Sequence, residues 1–172
     1  MNETRYTRLP HRGVVTIRGA DRVTFLQGLV SNDVRRATAE QAVYAALLTP
    51  QGKFLHDMLI LADDTTLWLD IEAARAADFM ARLNKYKLRS AIVLEDMTAS
   101  HGVAASPVKP DLGMAIACPD PRHAGLGWRV LAPCATLPAP NNQDFAAYDR
   151  LRLRLGLAAG SRGLVSGDRL LL

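Results

Sequence analysis

The sequence predicts an α+β protein. A ferredoxin-like lobe, a mainly antiparallel sheet with helices on one face, is expected over residues 1–99, and part of a second α+β lobe over residues 111–172. Three observations carry this prediction. Two apolar runs, Ala42–Thr49 and Phe54–Ala62, flank Thr49-Pro50-Gln51-Gly52, whose Pro in second place and Gly in fourth are the choices of a tight turn. Residues 72–87 instead repeat their apolar positions at helical spacing. Between residues 100 and 110 the composition shifts to small residues and Pro, which marks a boundary.

Taken in order, Gly13–Arg18 reads as a first strand, and Asp21 is placed to cap a short helix with Val23, Leu26, Leu29 and Val30 on one side. Ser31-Asn32-Asp33 ends that helix, and the hairpin follows. Asp63-Asp64-Thr65 turns the chain into a third strand over 66–71. The helix over 72–87 should face Ala76, Phe79, Met80, Leu83 and Tyr86 inward, with Arg75, Arg82 and Lys85 outward. The β-rich stretch 91–97 completes the order β-α-β-β-β-α-β. Beyond the boundary, 114–118 and 128–131 read as short strands separated by the loop Pro119-Asp120-Pro121-Arg122-His123. Asn141 or Asn142 can cap a helix that ends at Gly156. The apolar Leu170-Leu171-Leu172 after a charged turn reads as a strand cut short, so the natural protein is expected to continue.

At 172 residues the chain can bury a core without disulfides or metals. Its 49% hydrophobic and 22% charged content is that of a soluble globular protein. The net charge of +4 points only weakly to a polyanionic partner, since Arg5, Arg8, Arg12, Arg18, Arg22, Arg35 and Arg36 are scattered. The nearest approach to a basic cluster, Arg82, Lys85, Lys87 and Arg89, could bind RNA or an acidic partner, but a solvated helix face is the plainer reading. No aromatic pair has RNA-recognition spacing, so direct nucleic-acid binding is not expected. Cys118 and Cys134 form neither a disulfide framework nor a metal motif, and His11, His56, His101 and His123 lack metal-ligand spacing. No segment has the length of a membrane span or the core of a secretory signal, so the expected location is the cytoplasm, or the mitochondrial matrix in a eukaryote. No nucleophile–base arrangement stands out, and no catalytic or metal residue is assigned.

The residue that breaks the pattern is Asp57, a carboxylate inside the run Phe54–Leu61, which otherwise reads as a strand buried on both faces. Such a group is costly unless paired. With a loop of two or four residues, Tyr44 lies directly opposite it with Cβ atoms roughly 5 Å apart. A phenol and a carboxylate on one apolar wall make a seat for a flat, polar, nitrogen-rich ligand. The plainer reading is an Asp held by an Arg or by backbone amides. Asn32 and Asp33 alone read as a turn, His56 falls on the opposite face as a core histidine, and Gly156, Gly160 and Gly163 match no phosphate-loop pattern and read as turns.

Several segments also resemble a known family. Phe25-Leu26-Gln27-Gly28-Leu29-Val30-Ser31-Asn32-Asp33-Val34, the hairpin from Tyr44 to Ile60, Asn84-Lys85-Tyr86-Lys87-Leu88-Arg89, Asp120-Pro121-Arg122 with Leu126-Gly127-Trp128-Arg129, and Tyr148–Arg162 are similar, in order and spacing, to YgfZ-type folate-binding proteins. These proteins are related to the glycine-cleavage T-protein and to mitochondrial iron–sulfur assembly factors. The resemblance implies a T-protein-like folate-binding fold, tetrahydrofolate as cofactor, and Asp57, Tyr44 and Asn32 as its contacts, Asn32 the weakest. It implies a role in iron–sulfur cluster assembly or repair, and through it in tRNA modification, with iron–sulfur client or assembly proteins as partners and no membrane. The alternatives are a folate-dependent aminomethyltransferase of the T-protein type, or an RNA- or protein-binding scaffold. His56 stands where T-proteins carry a first hairpin acid, Leu61 where some members have an aromatic residue, and Arg154 where T-proteins carry an acid. These departures argue against aminomethyl transfer. The family's cysteine motif, Lys-Gly-Cys-Tyr-x-Gly-Gln-Glu, would be expected after Leu172, and neither Cys118 nor Cys134 matches it.

Overall fold

The protein is described by a computed structural model covering residues 6–111, 113 and 115–163. The expected strand at Leu170–Leu172 lies outside the described residues. The elements are β1 (Thr7–Arg8), β2 (Arg12–Arg18), α1 (Arg22–Gln27), β3 (Val43–Leu48), β4 (Phe54–Ala62), β5 (Thr66–Glu72), α2 (Ala76–Lys87), β6 (Val93–Asp96), β7 (His101–Ser106), β8 (Ile116–Pro119), β9 (Trp128–Pro133) and α3 (Asn142–Arg154). They form a five-stranded sheet in the order β3-β4-β5-β2-β6 and a four-stranded sheet in the order β1-β7-β9-β8. Every strand pair in both is antiparallel. The β-α-β-β-β-α-β order read from the sequence is present from β2 to β6. His101–Ser106, where the composition shifts to small residues and Pro, forms strand β7 and pairs with both β1 and β9.

Strand periodicity divides the five-stranded sheet into two faces. On one face Val15, Ile17, Met58, Ile60 and Leu69 pack with Phe25 and Leu26 of α1 and Phe79 and Leu83 of α2. On the other, Val14, Leu61 and Trp68 pack with Val103, Ala105 and Leu131 of the four-stranded sheet and with Tyr148 of α3. The sheet is therefore covered on both sides, which explains why β4 is apolar at nearly every position.

The hairpin turn forms as read: Gly52 N donates to Thr49 O at 2.9 Å, and Gly52 takes a φ of +77°. The register differs. Tyr44 pairs with Leu59, and Asp57 pairs with Ala46. Two local features shift it. Thr49 N bonds Lys53 O at 2.8 Å, which closes a three-residue loop, and β4 is irregular between the Leu47–His56 and Leu48–Phe54 pairs, leaving Leu55 as an extra residue. Each adds one position, so the slip is two, and the facing of every side chain is preserved.

Helix α2 buries Ala76, Phe79 and Leu83 and half-buries Met80, as its spacing predicts. Tyr86 does not follow; it is 53% exposed. The inward stripe of Ala76, Phe79 and Leu83 advances by three and then four, so its next position falls at the half-buried Lys87 and Tyr86 lies off it. Asp21 does not cap α1 with its side chain; its carboxylate accepts from Ala91 N at 2.7 Å instead, tying α1 to the approach to β6. Asn141 does cap α3, accepting from Gln143 N and Asp144 N, and Gly156 follows that helix at a φ of +72°.

Truncating Phe79 to Ala is expected to cost about 3–5 kcal/mol in denaturant unfolding. The same change at the exposed Tyr86 should stay within about 0.5 kcal/mol.

Candidate functional site

Strand β2 begins with a charge, and that charge is buried. Arg12, Val14 and Thr16 alternate with the helix-facing Val15 and Ile17, so Arg12 points into the space between the two sheets. The same periodicity aims Asp57 of β4 and Asp70 of β5 into that space, where they are only 3% and 0% exposed. Arg12 binds both. Its Nη1 lies 3.3 Å from Asp57 Oδ1, its Nε 2.5 Å from Asp70 Oδ1, and its Nη2 donates to Asp70 O at 2.8 Å. The four-stranded sheet extends the chain of charges. Arg129 of β9 lies 3.4 Å from Asp70 Oδ2 and 3.2 Å from Asp120 Oδ2. Arg122 grips Asp120 with two donors, at 2.9 and 2.7 Å, and places a third contact on Tyr148 Oη at 3.3 Å. The Arg122 guanidinium also stands 6.0 Å from the centre of the Tyr44 ring, and Tyr44 Oη donates to Asp57 Oδ2 at 3.2 Å. Three carboxylates and three guanidiniums thus alternate in a closed, charge-balanced ring that returns to Asp57 through Tyr44.

This ring sets the ionisation of its members. Burial opposes the charge on Asp57. The Arg12 guanidinium and hydrogen bonds from Arg12, Tyr44 and Gly160 outweigh it and hold the carboxyl below its usual range. At Asp120 burial is likewise outweighed, first by the hydrogen bond from Arg122 and then by the charge of Arg129. Burial also opposes the charge on Arg12 and Arg122, yet the facing carboxylates raise both above the ordinary guanidinium value. Tyr44 is raised by burial and then by the neighbouring Asp57 charge, so its phenol stays protonated and keeps donating.

Beside the ring lies a cavity of about 780 Å³ at the junction of the two sheets. Its walls are Ala42–Tyr44 of the β3 edge, Asn32 and Arg36 before that strand, Pro119, Pro121 and Arg122 around the β8–β9 loop, and the segment Gly156–Ala158 after α3. Asn32 is oriented by its own contacts, donating from Nδ2 to Tyr44 O at 2.9 Å and accepting Asp33 N at 2.8 Å. Asp33 caps the 3-10 turn of residues 34–36, as a turn residue would. Asn32 and Tyr44 therefore meet on the cavity wall. Asp57 stands behind the Tyr44 hydroxyl, with its remaining capacity taken by Arg12 and by Gly160 N at 3.2 Å. Both plainer partners read for it, an Arg and a backbone amide, are present. Gly160 reaches it only as glycine: φ is +53°, and a Cβ there would sit 2.9 Å from Glu72 Oε2 and 3.1 Å from Asp57 Oδ1.

The other singled-out residues lie elsewhere. His56 is on the helix face, bonded to Asp78 Oδ2 at 2.8 Å, as a satisfied core histidine. Cys118 is buried with its thiol pushed up to about 12 by that burial, and the half-buried Cys134 Sγ lies 3.0 Å from Arg8 Nη2. Among the described residues no group of three or more His, Cys, Asp and Glu side chains is arranged to hold a metal ion. Sequence reasoning gave no site role to Arg12 or Asp70, and it noted Asp120, Arg122 and Arg129 only as part of the family resemblance. The signal available was the demand of a buried Asp57 for a cation, since nothing local marks Arg12 among seven dispersed arginines.

Comparisons with known proteins place this architecture. No protein-family model matches the chain. The glycine cleavage system aminomethyltransferase T of Bartonella henselae superposes with a TM-score of 0.70 at 16% identity, covering 90% of this chain and 51% of that one. The fold is thus T-protein-like, a mixed α/β architecture of antiparallel sheets with few helices. In sequence the chain is similar to proteins named as mitochondrial iron–sulfur cluster assembly factor IBA57 homologues. The mitochondrial iron–sulfur cluster assembly factor IBA57 homologue of Mycosarcoma maydis is 32% identical over 176 residues, 90% of this chain and 43% of that protein. The homologue of Aspergillus oryzae is 28% identical over 206 residues, 93% of this chain and 46% of that protein. The chain spans less than half the length of these relatives. No helix among the described residues is long and apolar enough to cross a membrane.

Replacing Arg12 by Met, which removes the charge but keeps the volume, should cost about 3–5 kcal/mol in equilibrium unfolding, because two buried carboxylates lose their cation. A second expectation concerns pH. His11 adjoins the ring, and burial followed by the charges of Arg12 and Arg162 lowers it to about 4. Its folded pKa lies below the unfolded value of about 6.5, so the unfolded chain binds the extra proton first. The stability contribution of neutral His11 is present above pH ~6.5 and is lost as pH falls toward about 4. His11→Phe, which keeps a ring against Phe145, should flatten that limb of the stability–pH curve.

Proposed function

We propose that this chain is the tetrahydrofolate-binding part of a protein that supports iron–sulfur cluster assembly or repair, and through it tRNA modification. One observation carries the ligand class: the hydrogen bond from Tyr44, which lines a cavity of about 780 Å³, to the ionised, almost fully buried Asp57 behind it. That volume is within the roughly 300–1,000 Å³ of small-molecule sites. The donor set fits a folate. The Tyr44 ring offers an aromatic surface, Asn32 an amide, and Arg36 a cationic group suited to a carboxylate tail. Asp57 is the acceptor for ligand N–H groups. Its contacts with Tyr44 and Gly160 are long, at 3.2 Å each, and a ligand N–H would take the place of one of them. Tetrahydrofolate, once bound, would supply one-carbon carriage at its reduced nitrogens. The protein's part is to orient it, to keep Asp57 charged through Arg12, and to exclude water behind Tyr44.

The iron–sulfur role rests on the names of the relatives, with iron–sulfur client or assembly proteins as partners, and those names also support the mitochondrial matrix as location in a eukaryote. The cluster is cargo in this reading.

Titrating the full-length natural protein with tetrahydrofolate by calorimetry is expected to show saturable binding. Asp57→Ala should weaken it by roughly 10- to 150-fold, the value of about 1.5–3 kcal/mol for a hydrogen bond to a charged group. Tyr44→Phe should weaken it less, and Asn32→Ala least. An Asp57→Ala protein that stays folded and binds with unchanged affinity contradicts the assignment.

A further inference from the structure

A second concave surface lies at the C-terminal end of α2. It is a groove of about 340 Å³ between Gly28–Ser31 after α1, the Leu47–Pro50 end of the hairpin, and Tyr86. Its apolar lining is Leu29, Val30, Leu47, Leu48 and Pro50, and no carboxylate lines it. Tyr86 forms one wall and remains 53% exposed. Two residues further on, Leu88 is 88% exposed and takes a φ of +39°, a left-handed conformation that a leucine rarely adopts. A large apolar side chain held in solvent on a strained backbone gains nothing from the fold itself, and such outliers gather where something is bound.

The charged residues next to Tyr86 and Leu88 in the chain are all basic. Lys85, Lys87 and Arg89 interleave with Tyr86 and Leu88 along the chain. Among the described residues none of the three enters an ion pair, whereas Arg82, one turn earlier, is paired with Asp78 at 2.7 Å. Lys53, just past the hairpin turn, is exposed and likewise outside any ion pair among the described residues. An apolar groove with an aromatic wall and an uncompensated basic fringe is complementary to one kind of occupant.

We propose that this face docks a partner protein through an acidic segment bearing one or two apolar side chains. The apolar side chains enter the groove against Tyr86 and Leu88, and the carboxylates meet Lys85, Lys87 and Arg89. Aliphatic lining and a single aromatic favour a polypeptide over RNA, whose bases need stacking surfaces and polar edges. The cationic fringe sets encounter rate and register, and the apolar contacts hold the complex. This surface shares no residue with the folate cavity, so the inference stands independently of the ligand assignment.

The test places the photo-crosslinking residue p-benzoylphenylalanine at Leu88 of the full-length protein in its own cells and maps the attached peptide by mass spectrometry. The expected product is one dominant protein segment of net negative charge with an aliphatic or aromatic residue at the crosslink. Its yield should fall at least about fivefold when Lys85, Lys87 and Arg89 are changed to Glu, while melting temperature stays unchanged. If the triple reversal does not fold, Lys85→Gln with Lys87→Gln should lower the yield in the same direction. Attachment to RNA or lipid, attachment to a neutral or basic segment, a yield no higher than from a probe at exposed Arg154, or a yield indifferent to the charge changes would each overturn the proposal.

Discussion

The guanidinium of Arg12 holds two carboxylates, Asp57 at 3.3 Å and Asp70 at 2.5 Å, in the space between two sheets, and the rest of the molecule is arranged around that contact. A lone ionised group at such a depth would neutralise or unfold the protein. Here each charge is one link of an alternating series, Asp57, Arg12, Asp70, Arg129, Asp120, Arg122, closed through Tyr44. The first three members belong to the five-stranded sheet; Arg129 and the Asp120–Arg122 pair come from β9 and from the loop leading to it. A buried ionic series of this kind adds little net stability relative to an apolar interface, because desolvation offsets most of the attraction. Its effect is geometric. It fixes how the sheets face one another, and it delivers an ionised Asp57 and a protonated Tyr44 to the edge of the cavity. The segment after α3 joins the same assembly, with Gly160 N on Asp57 and Ser161 N and Oγ on Glu72 at 3.1 and 2.5 Å.

The outline of the first sheet and its helices was legible because hydrophobic period reports facing directly. The strand period of two put Tyr44 and Asp57 on one face and His56 on the other, and the structure agrees. Their pairing was not legible. Whether the hairpin loop holds two or three residues depends on the Thr49–Lys53 contacts, and the extra residue at Leu55 on a bulge that no residue type announces. The two errors summed to an even slip, so the face survived while the neighbour changed. Tyr44 reaches Asp57 diagonally across the ladder, a separation a tyrosine can span. Arg12 was illegible for another reason. An arginine at the start of a strand after a turn reads as an exposed end, and its burial depends on a second sheet assembled from Thr7–Arg8, His101–Ser106 and strands beyond residue 115. Strand β7 itself, His-Gly-Val-Ala-Ala-Ser, is too small and mixed to announce itself. Its small residues instead suit the tight packing of Val103 and Ala105 between the sheets.

The comparisons and the physical reading constrain different things. A TM-score of 0.70 at 16% identity fixes the architecture and leaves the chemistry open. The relatives named as iron–sulfur cluster assembly factors point to a biological setting, through less than half of their own length. What the residues add is a division of labour over one small fold: an ionised carboxylate behind a phenol at a roomy cavity, and, apart from it, a basic and apolar face at the end of α2. The proposed folate site and the proposed docking face would thus have no side chain in common.

The most direct test of the central claim is a carboxyl-carbon NMR titration of Asp57 in the full-length protein, with and without tetrahydrofolate. The account predicts that the Asp57 signal stays that of a carboxylate down through the usual aspartate range, because Arg12 and its hydrogen bonds hold the proton off, and that it shifts when tetrahydrofolate is added. An Asp57 that titrates at or above the ordinary value of about 3.9 would contradict the charge ring. A signal that ignores saturating tetrahydrofolate would contradict the site.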